Sequence, residues 1–285
     1  MLFLILSAGC TPPKDYSADN TDRQTQPQRV IASAPSITEI LFDIGAGGTV
    51  IGTSAFTKYP PEAAEIEKIG GLYDVSYEKI LSLKPDIVFC LGEDKELQAK
   101  MKTFGIPVKA VNHLSVGGVL ESYGIIGKSF PRAISEQAME KQKQLSDKLE
   151  ELRKVSTKFK PVRLLLCVDR SRGVNRLENV FIAANNPFYE DIIRSAGGIN
   201  AVSSGLPFIS PSAEGIIDSA PEVIIELYIG GSAAEHLVDD WKALGNAVPA
   251  VRNNRIYIIT DDFPTIPGPR IPQIIELFTK ILHGE

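Results

Sequence analysis

Cysteine, histidine and tryptophan are scarce in this chain: three, three and one among 285 residues. Three cysteines cannot build a disulfide framework. The histidines, His113, His236 and His283, lie far apart and lack the spacing by which side chains hold a bare metal ion. No run of 18 apolar residues occurs, which excludes a multi-pass membrane protein. Lys and Arg number 30 against 35 Asp and Glu, for a net charge of −5, and they form no basic block; this argues against a nucleic-acid partner. Gly-x-x-x-x-Gly-Lys-Ser/Thr, His-Glu-x-x-His and Gly-x-Ser-x-Gly are all missing. Gly45-Ala-Gly-Gly48 has Val50 where a dinucleotide loop needs its third glycine, and it follows a helix rather than opening one, so it reads as a helix end and turn. What remains is 44% hydrophobic and 23% charged, ordinary for a globular chain long enough for two domain-sized cores or one large one.

Residues Leu2–Leu6 form a short apolar run, and Ser7, Ala8, Gly9 and Cys10 follow. Small residues between an apolar segment and a cysteine resemble the lipobox of bacterial lipoproteins. That resemblance implies an incomplete signal peptide over residues 1–9 and lipid on Cys10. Thr11–Gln28 contains no Val, Ile, Leu, Met, Phe or Trp. Such a segment buries too little apolar area to offset its ordering entropy, so 10–28 is expected to be a tether, spanning roughly 25 Å as a coil.

Beyond it, strand and helix patterns alternate. Residues 29–33 and 50–54, Asp86–Leu91 and Pro107–Val111 read as strands. Helical spacing marks Pro35–Ile44, Ser76–Leu83 and Asp94–Phe104. Pro131–Thr157 keeps a helical apolar stripe across a polar stretch with no interior Gly or Pro, a rod of roughly 40 Å near mid-chain. The alternation then restarts with strands at Val162–Val168, Val223–Leu227 and Arg255–Thr260, and helices at Phe188–Ala196, Ser212–Ser219 and Ile271–His283. Apolar strands alternating with helices predict an α/β fold with parallel sheets covered on both faces. Cys90 and Cys167 sit in such strands and read as buried thiols. His283 reads as solvated, His236 falls in a polar helix, and His113, after a strand end, is a candidate to face a cleft.

The halves resemble each other. Ser76-x-Glu78-x-Ile80 with Pro85-Asp86-Ile87-Val88 matches Ser212-x-Glu214-x-Ile216 with Pro221-Glu222-Val223-Ile224 at one constant offset. Pro35–Gly45 likewise matches Pro187–Gly197. Two matches in the same order imply two related lobes, with the space between them as the ligand site. Loops after strands carry Phe56, Tyr59, Leu72, Tyr73, Arg170, Arg172, Asn175, Phe208, Asp261, Asp262, Phe263 and Arg270, the aromatic and polar set that suits a bulky, partly planar ligand.

The order and spacing of Arg29-Val-Ile-Ala-Ser-Ala-Pro35-Ser-Ile-Thr-Glu39, Tyr59-Pro-Pro61, Glu78-Lys-Ile80 with Lys84-Pro-Asp86, Phe188-Tyr-Glu-Asp-Ile-Ile193 with Ala196-Gly-Gly198, and Pro267-Gly-Pro-Arg270 resemble the substrate-binding proteins of iron-siderophore and cobalamin ABC importers. The resemblance implies two three-layer doubly wound lobes, 29–130 and 159–285, joined by one rigid helix over 131–158. It implies a monomer that catalyses nothing, holds no resident cofactor or metal, and delivers a corrinoid or ferric siderophore to a permease dimer with its ATPase subunits at the outer face of a bacterial membrane. Haem, a bare metal or an oxyanion is the alternative cargo within the family, and an enzyme acting in the cleft is the alternative outside it. Ligand-lining positions carry over onto Phe56, Leu72 or Tyr73, Asn175, Phe208, Asp261 or Asp262, and Arg270. Glu78 and Glu214 carry over as permease-docking carboxylates; helix-dipole stabilisation of a first-turn acid is the competing reading.

Overall fold

A computed structural model of the chain describes residues 26–71, 74–171, 177–229 and 235–284. The first half runs β1 (Val30–Ala32), α1 (Pro35–Asp43), β2 (Val50–Thr53), α2 (Pro61–Ala64), α3 (Tyr77–Leu83), β3 (Ile87–Leu91), α4 (Lys95–Thr103), β4 (Val108–Val111) and α5 (Val116–Gly127). Helix α6 (Arg132–Ser156) follows. The second half runs β5 (Val162–Asp169), β6 (Phe181–Ala183), α7 (Pro187–Ser195), β7 (Gly198–Asn200), β8 (Phe208–Ile209), α8 (Ala213–Ser219), β9 (Val223–Leu227), α9 (Glu235–Lys242), α10 (Pro249–Arg252), β10 (Ile256–Ile259) and α11 (Ile271–His283).

Two sheets result. The first, ordered β2-β1-β3-β4, is parallel throughout. The second is ordered β10-β9-β5-β6-β8; β9 and β7 run parallel to β5, whereas β6 and β8 add an antiparallel margin. Alternate strand residues supply different cores, as a period of two requires. Leu164 and Leu166 join one apolar cluster, while Leu165 and Cys167 face another. Val30 and Ala32 face that same first cluster, and Ile31 points to a third under α3 and α4. Helices thus cover both faces of both sheets, giving two three-layer lobes.

The first cluster does not stop at the lobe boundary. It runs from Ile37, Phe89 and Val111 through Ala138 and Leu145 of α6 to Leu164, Ile192, Ile274 and Phe278. Helix α6, about 37 Å long at 1.5 Å per residue, is therefore packed into a shared core rather than spanning solvent. Lys141 pairs with Asp43 of α1 at 2.9 Å, and Lys148 reaches Glu276 of α11 at 3.4 Å.

The repeat is geometric as well as sequential. Ser76 caps α3 by accepting from the Lys79 amide, and Ser212 caps α8 by accepting from the Gly215 amide. Each helix ends on a left-handed residue, Lys84 (φ 47°) and Ala220 (φ 45°). Asp86 then accepts from the Arg29 amide and Glu222 from the Arg163 amide, while the two arginines donate to the carbonyls of Leu83 and Ser219 at the helix ends.

Two expectations are corrected, and one helix was not anticipated. Val116–Gly127 is a helix that its four glycines concealed; Ser115 caps it, and a Cβ at Gly118 would stand 2.2 Å from the Asn112 carbonyl oxygen. His283 is half-buried rather than free in solvent: its ring stacks on Phe159 at 4.2 Å and its Nε2 lies 3.1 Å from the Ala196 carbonyl oxygen. His113 does not face the cleft. It is buried, with Nδ1 2.7 Å from Ser36 Oγ and Nε2 2.9 Å from Ser122 Oγ. Ser122 donates its own proton to the Gly118 carbonyl, so His113 Nε2 donates to Ser122 and Nδ1 accepts from Ser36. Cys90 and Cys167 are buried free thiols as expected, and burial pushes Cys90 up to about 12.

Burial lowers the His113 pKa from 6.5 to about 4. Between those values the unfolded chain binds a proton that the folded chain refuses. Stability is therefore full above pH 6.5 and falls as pH drops toward 4, by about 3 kcal/mol in all. Denaturant unfolding at pH 7 and pH 4.5 should show that loss, and His113→Gln should flatten it; an unchanged slope in the variant would remove His113 as its source.

Candidate functional site

Parallel strands of both lobes end at one cleft, the position at which open α/β sheets present loops to ligands. Its volume is about 400 Å³. Ser33–Ser36 after β1, Ser54, Phe56 and Lys58 after β2, and Leu91 ending β3 supply one wall; Ile229 after β9 and Asp262, Thr265, Ile266 and Pro267 after β10 supply the other.

Phe56 lines the cavity and is 63% exposed. Its loop is held from beneath by a buried hydroxyl chain, Thr38 to Thr53 at 2.7 Å and Thr53 to Thr57 at 2.8 Å. The Ala55 amide donates to the Gly70 carbonyl, and Gly71 leaves room for the ring, since a Cβ there would lie 2.8 Å from Phe56 Cε2. The ring is thus presented rather than buried. Lys58, two residues on, meets Asp262 of the opposite lobe at 3.6 Å.

Behind this cavity the lobes are joined by Arg270. Its guanidinium donates from Nε to Glu39 Oε2 at 3.0 Å and from NH2 to Oε1 at 2.6 Å. It also lies over the rings of Tyr59 at 4.4 Å and Phe263 at 5.7 Å. Glu39 comes from α1 and Arg270 from the turn before α11. Glycine at 268 permits the approach, because a Cβ there would stand 3.3 Å from Glu39 Oε2 and 3.6 Å from Ser36 Cα. Burial pushes the Glu39 carboxyl above its ordinary pKa; the hydrogen bond and charge of Arg270 oppose that rise without cancelling it.

Several expected ligand contacts have other roles. Arg270 is committed to Glu39, and Tyr59 and Phe263 cushion it. Arg170 is buried and donates to Glu226 at 2.9 Å and Asp240 at 2.8 Å, while Trp241 donates to the second Glu226 oxygen at 2.7 Å. It anchors α9 to the second sheet and does not face the cleft. Asp262 lines the cavity, whereas Asp261 opens onto a separate groove between β10 and α11. Phe208 lies outside the 400 Å³ cavity, on the β6–β8 margin, stacked on Phe181 at 5.3 Å and edge-on to Tyr189 at 6.5 Å. Leu72, Tyr73, Asn175, Arg172 and Cys10 lie outside the described residues. Glu78 and Glu214 are exposed in the first turns of α3 and α8.

Sequence reasoning missed Lys58, Leu91, Ile229, Thr265 and Ile266. Lys58 stood beside Tyr59 in a loop already singled out, and Leu91 is the last residue of an apolar strand; nothing local distinguished Ile229. Among the described residues no group of three or more His, Cys, Asp and Glu side chains could hold a metal ion, and no helix is long and apolar enough to cross a membrane.

A family model described as periplasmic binding protein matches residues 30–263. The chain is 28% identical over 260 residues to a vitamin B12-binding protein of Vibrio parahaemolyticus, covering 88% of each. It is 24% identical over 310 aligned positions to an uncharacterised ABC transporter substrate-binding lipoprotein of Bacillus subtilis, covering all of this chain and 95% of that one. Among solved structures, the apo periplasmic haem-binding protein RhuT of Roseiflexus sp. RS-1 superposes with a TM-score of 0.76 at 25% identity, covering 90% of this chain and 98% of the other.

Glu39→Ala should destabilise the protein by about 3 kcal/mol, because it leaves a largely buried guanidinium unpaired. Glu39→Met with Arg270→Met should recover most of that loss. Denaturant midpoints for the single and double variants measure both; a neutral Glu39→Ala would show that the pair does not hold the lobes.

Proposed function

The chain belongs to the periplasmic binding protein family, and from that premise we propose that it carries a corrinoid to an ABC importer. Membership makes it an extracytoplasmic carrier rather than an enzyme. The observation that carries the choice of cargo is the fate of the cations. Arg170 and Arg270 are consumed by carboxylates of the protein itself, and Lys58 is the one cation among the described residues lining the cleft. An anion in an apolar site requires paired donors. A ferric siderophore with several anionic donors, or haem with two carboxylates, would need more cations than this wall offers. A corrinoid presents amides around a flat macrocycle and one phosphodiester, which suits aromatic and small polar contacts. The relative named for vitamin B12 supports the same class; the likeness to a haem-binding protein makes haem the second reading.

A corrinoid is larger than the cavity. It would rest against Phe56 and extend toward the Phe181–Phe208 pair, with Asp262 and Lys58 at the rim; Asn175, Leu72 and Tyr73 remain candidates for further contacts. The protein works as a monomer, held at the outer face of a bacterial membrane by lipid on Cys10 and its tether. Glu78 and Glu214 dock it to a permease dimer that works with ATPase subunits. The matched caps, matched first-turn positions and exposure of the two glutamates support this role, since a symmetric pair of carboxylates fits a symmetric pair of basic surfaces.

Calorimetry with cyanocobalamin, a ferric hydroxamate and haemin tests the cargo. Cyanocobalamin should bind one per chain, and Phe56→Ala and Phe208→Ala should each weaken it by about 1–3 kcal/mol. Binding of haemin or the hydroxamate without cyanocobalamin would overturn the corrinoid reading. Docking is tested separately: Glu78→Ala with Glu214→Ala should leave cargo affinity intact and slow uptake into vesicles holding the importer. Normal uptake would leave these residues only their helix-dipole role.

A further inference from the structure

Among the described residues, the ion pair of Lys58 with Asp262 differs in kind from the buried pair that also joins the lobes. Lys58 and Asp262 line the cleft, one from each wall. Their separation is 3.6 Å, with Lys58 69% and Asp262 26% exposed in their side chains. The Glu39–Arg270 pair behind them is bidentate, with side-chain exposures of 1% and 12%. A buried bidentate pair resists separation; a long, solvated lysine contact contributes little and is readily exchanged.

We propose that Lys58 is the cleft's anion reader. On binding it leaves Asp262 and takes the phosphodiester of the corrinoid's nucleotide arm, so the site distinguishes complete corrinoids from those lacking that arm. The inference rests on the corrinoid reading and adds a residue and a specificity to it. Lys58 is the only cation among the described cleft-lining residues, so it alone there can neutralise a ligand anion. It follows Phe56 by two residues on a loop pinned through Thr57, so a macrocycle against the phenyl ring brings its polar arm within reach of a flexible ammonium. The Asp262 carboxylate stands 3.6 Å from that ammonium across the cleft. Asp262 is itself fixed at the backbone, where its carbonyl accepts from the Thr265 amide at 3.0 Å and the Thr265 hydroxyl at 2.7 Å, so the residue keeps its place at the rim.

The test compares two probes on the full chain: cyanocobalamin, which carries the phosphodiester, and dicyanocobinamide, which lacks the nucleotide arm. Lys58→Ala should weaken cyanocobalamin about 5- to 20-fold, the effect of one partly solvated charge-assisted contact, and leave dicyanocobinamide unchanged. Lys58→Arg should retain most of the cyanocobalamin affinity, and Asp262→Asn should raise it by removing the competing carboxylate. Wild-type affinity for cyanocobalamin should fall with salt and that dependence should shrink in Lys58→Ala. Equal losses for both probes, or none for either, would overturn the inference while sparing the corrinoid reading. Failure of the wild-type protein to bind either probe would instead remove the corrinoid reading, and this inference with it.

Discussion

The buried ion pair between Glu39 and Arg270 decides how the two lobes face each other. Its partners are 231 residues apart in the chain. One belongs to the first helix of the first lobe and the other to the turn before the last helix. A carboxylate this deeply buried is costly unless a cation pairs with it. The relation is mutual, because the guanidinium lies against the rings of Tyr59 and Phe263 and has little water of its own. Any separation of the lobes at this point would strip two charges of their compensation at once. Gly268 lets the turn lie close to the pair, since a Cβ there would stand 3.3 Å from Glu39 Oε2.

That local constraint acts together with a distributed one. Helix α6 lies in a core that both lobes share, so hinge motion about it would have to expose apolar side chains from Ala138 to Leu145 along with their partners on both sheets. Its interior has neither proline nor glycine at which a kink would form. The cleft walls are therefore set before a ligand arrives. A preformed site avoids part of the ordering cost of binding, so modest aromatic and polar contacts suffice for useful affinity. What stays adjustable is small and at the rim, where a solvated lysine bridges the walls.

Much of this fold was legible in the chain. Strand β3, Leu164–Val168 of β5 and Val223–Ile225 of β9 are apolar on successive residues because helices cover both faces, and α6 showed its stripe. The repeat was legible because a serine cap, a first-turn acid and a proline-acid pair each have a local physical role that recurs in both lobes. Helix α5 was not, since glycines required by close approach to Asn112 and Ala138 mimic a loop. Within the site, Phe56 and Asp262 stood where strand ends meet. The arginines misled: an exposed-looking charge near a strand end carries no local sign that its partner lies 56 or 231 residues away. Lys58 was overlooked for the converse reason, since a lysine beside proline-rich aromatic sequence looks like surface until the other lobe places Asp262 opposite it.

A two-lobed carrier can signal occupancy by closing, or it can keep its shape and present its cargo in a nearly fixed frame. The buried pair and the shared core commit this protein to the second course. Small-angle scattering with and without saturating cyanocobalamin tests that commitment directly. A radius of gyration unchanged to within about 1 Å, the scale of backbone movement in preorganised complexes, is the expected result; a contraction of several ångströms would contradict a cleft fixed by Glu39, Arg270 and α6.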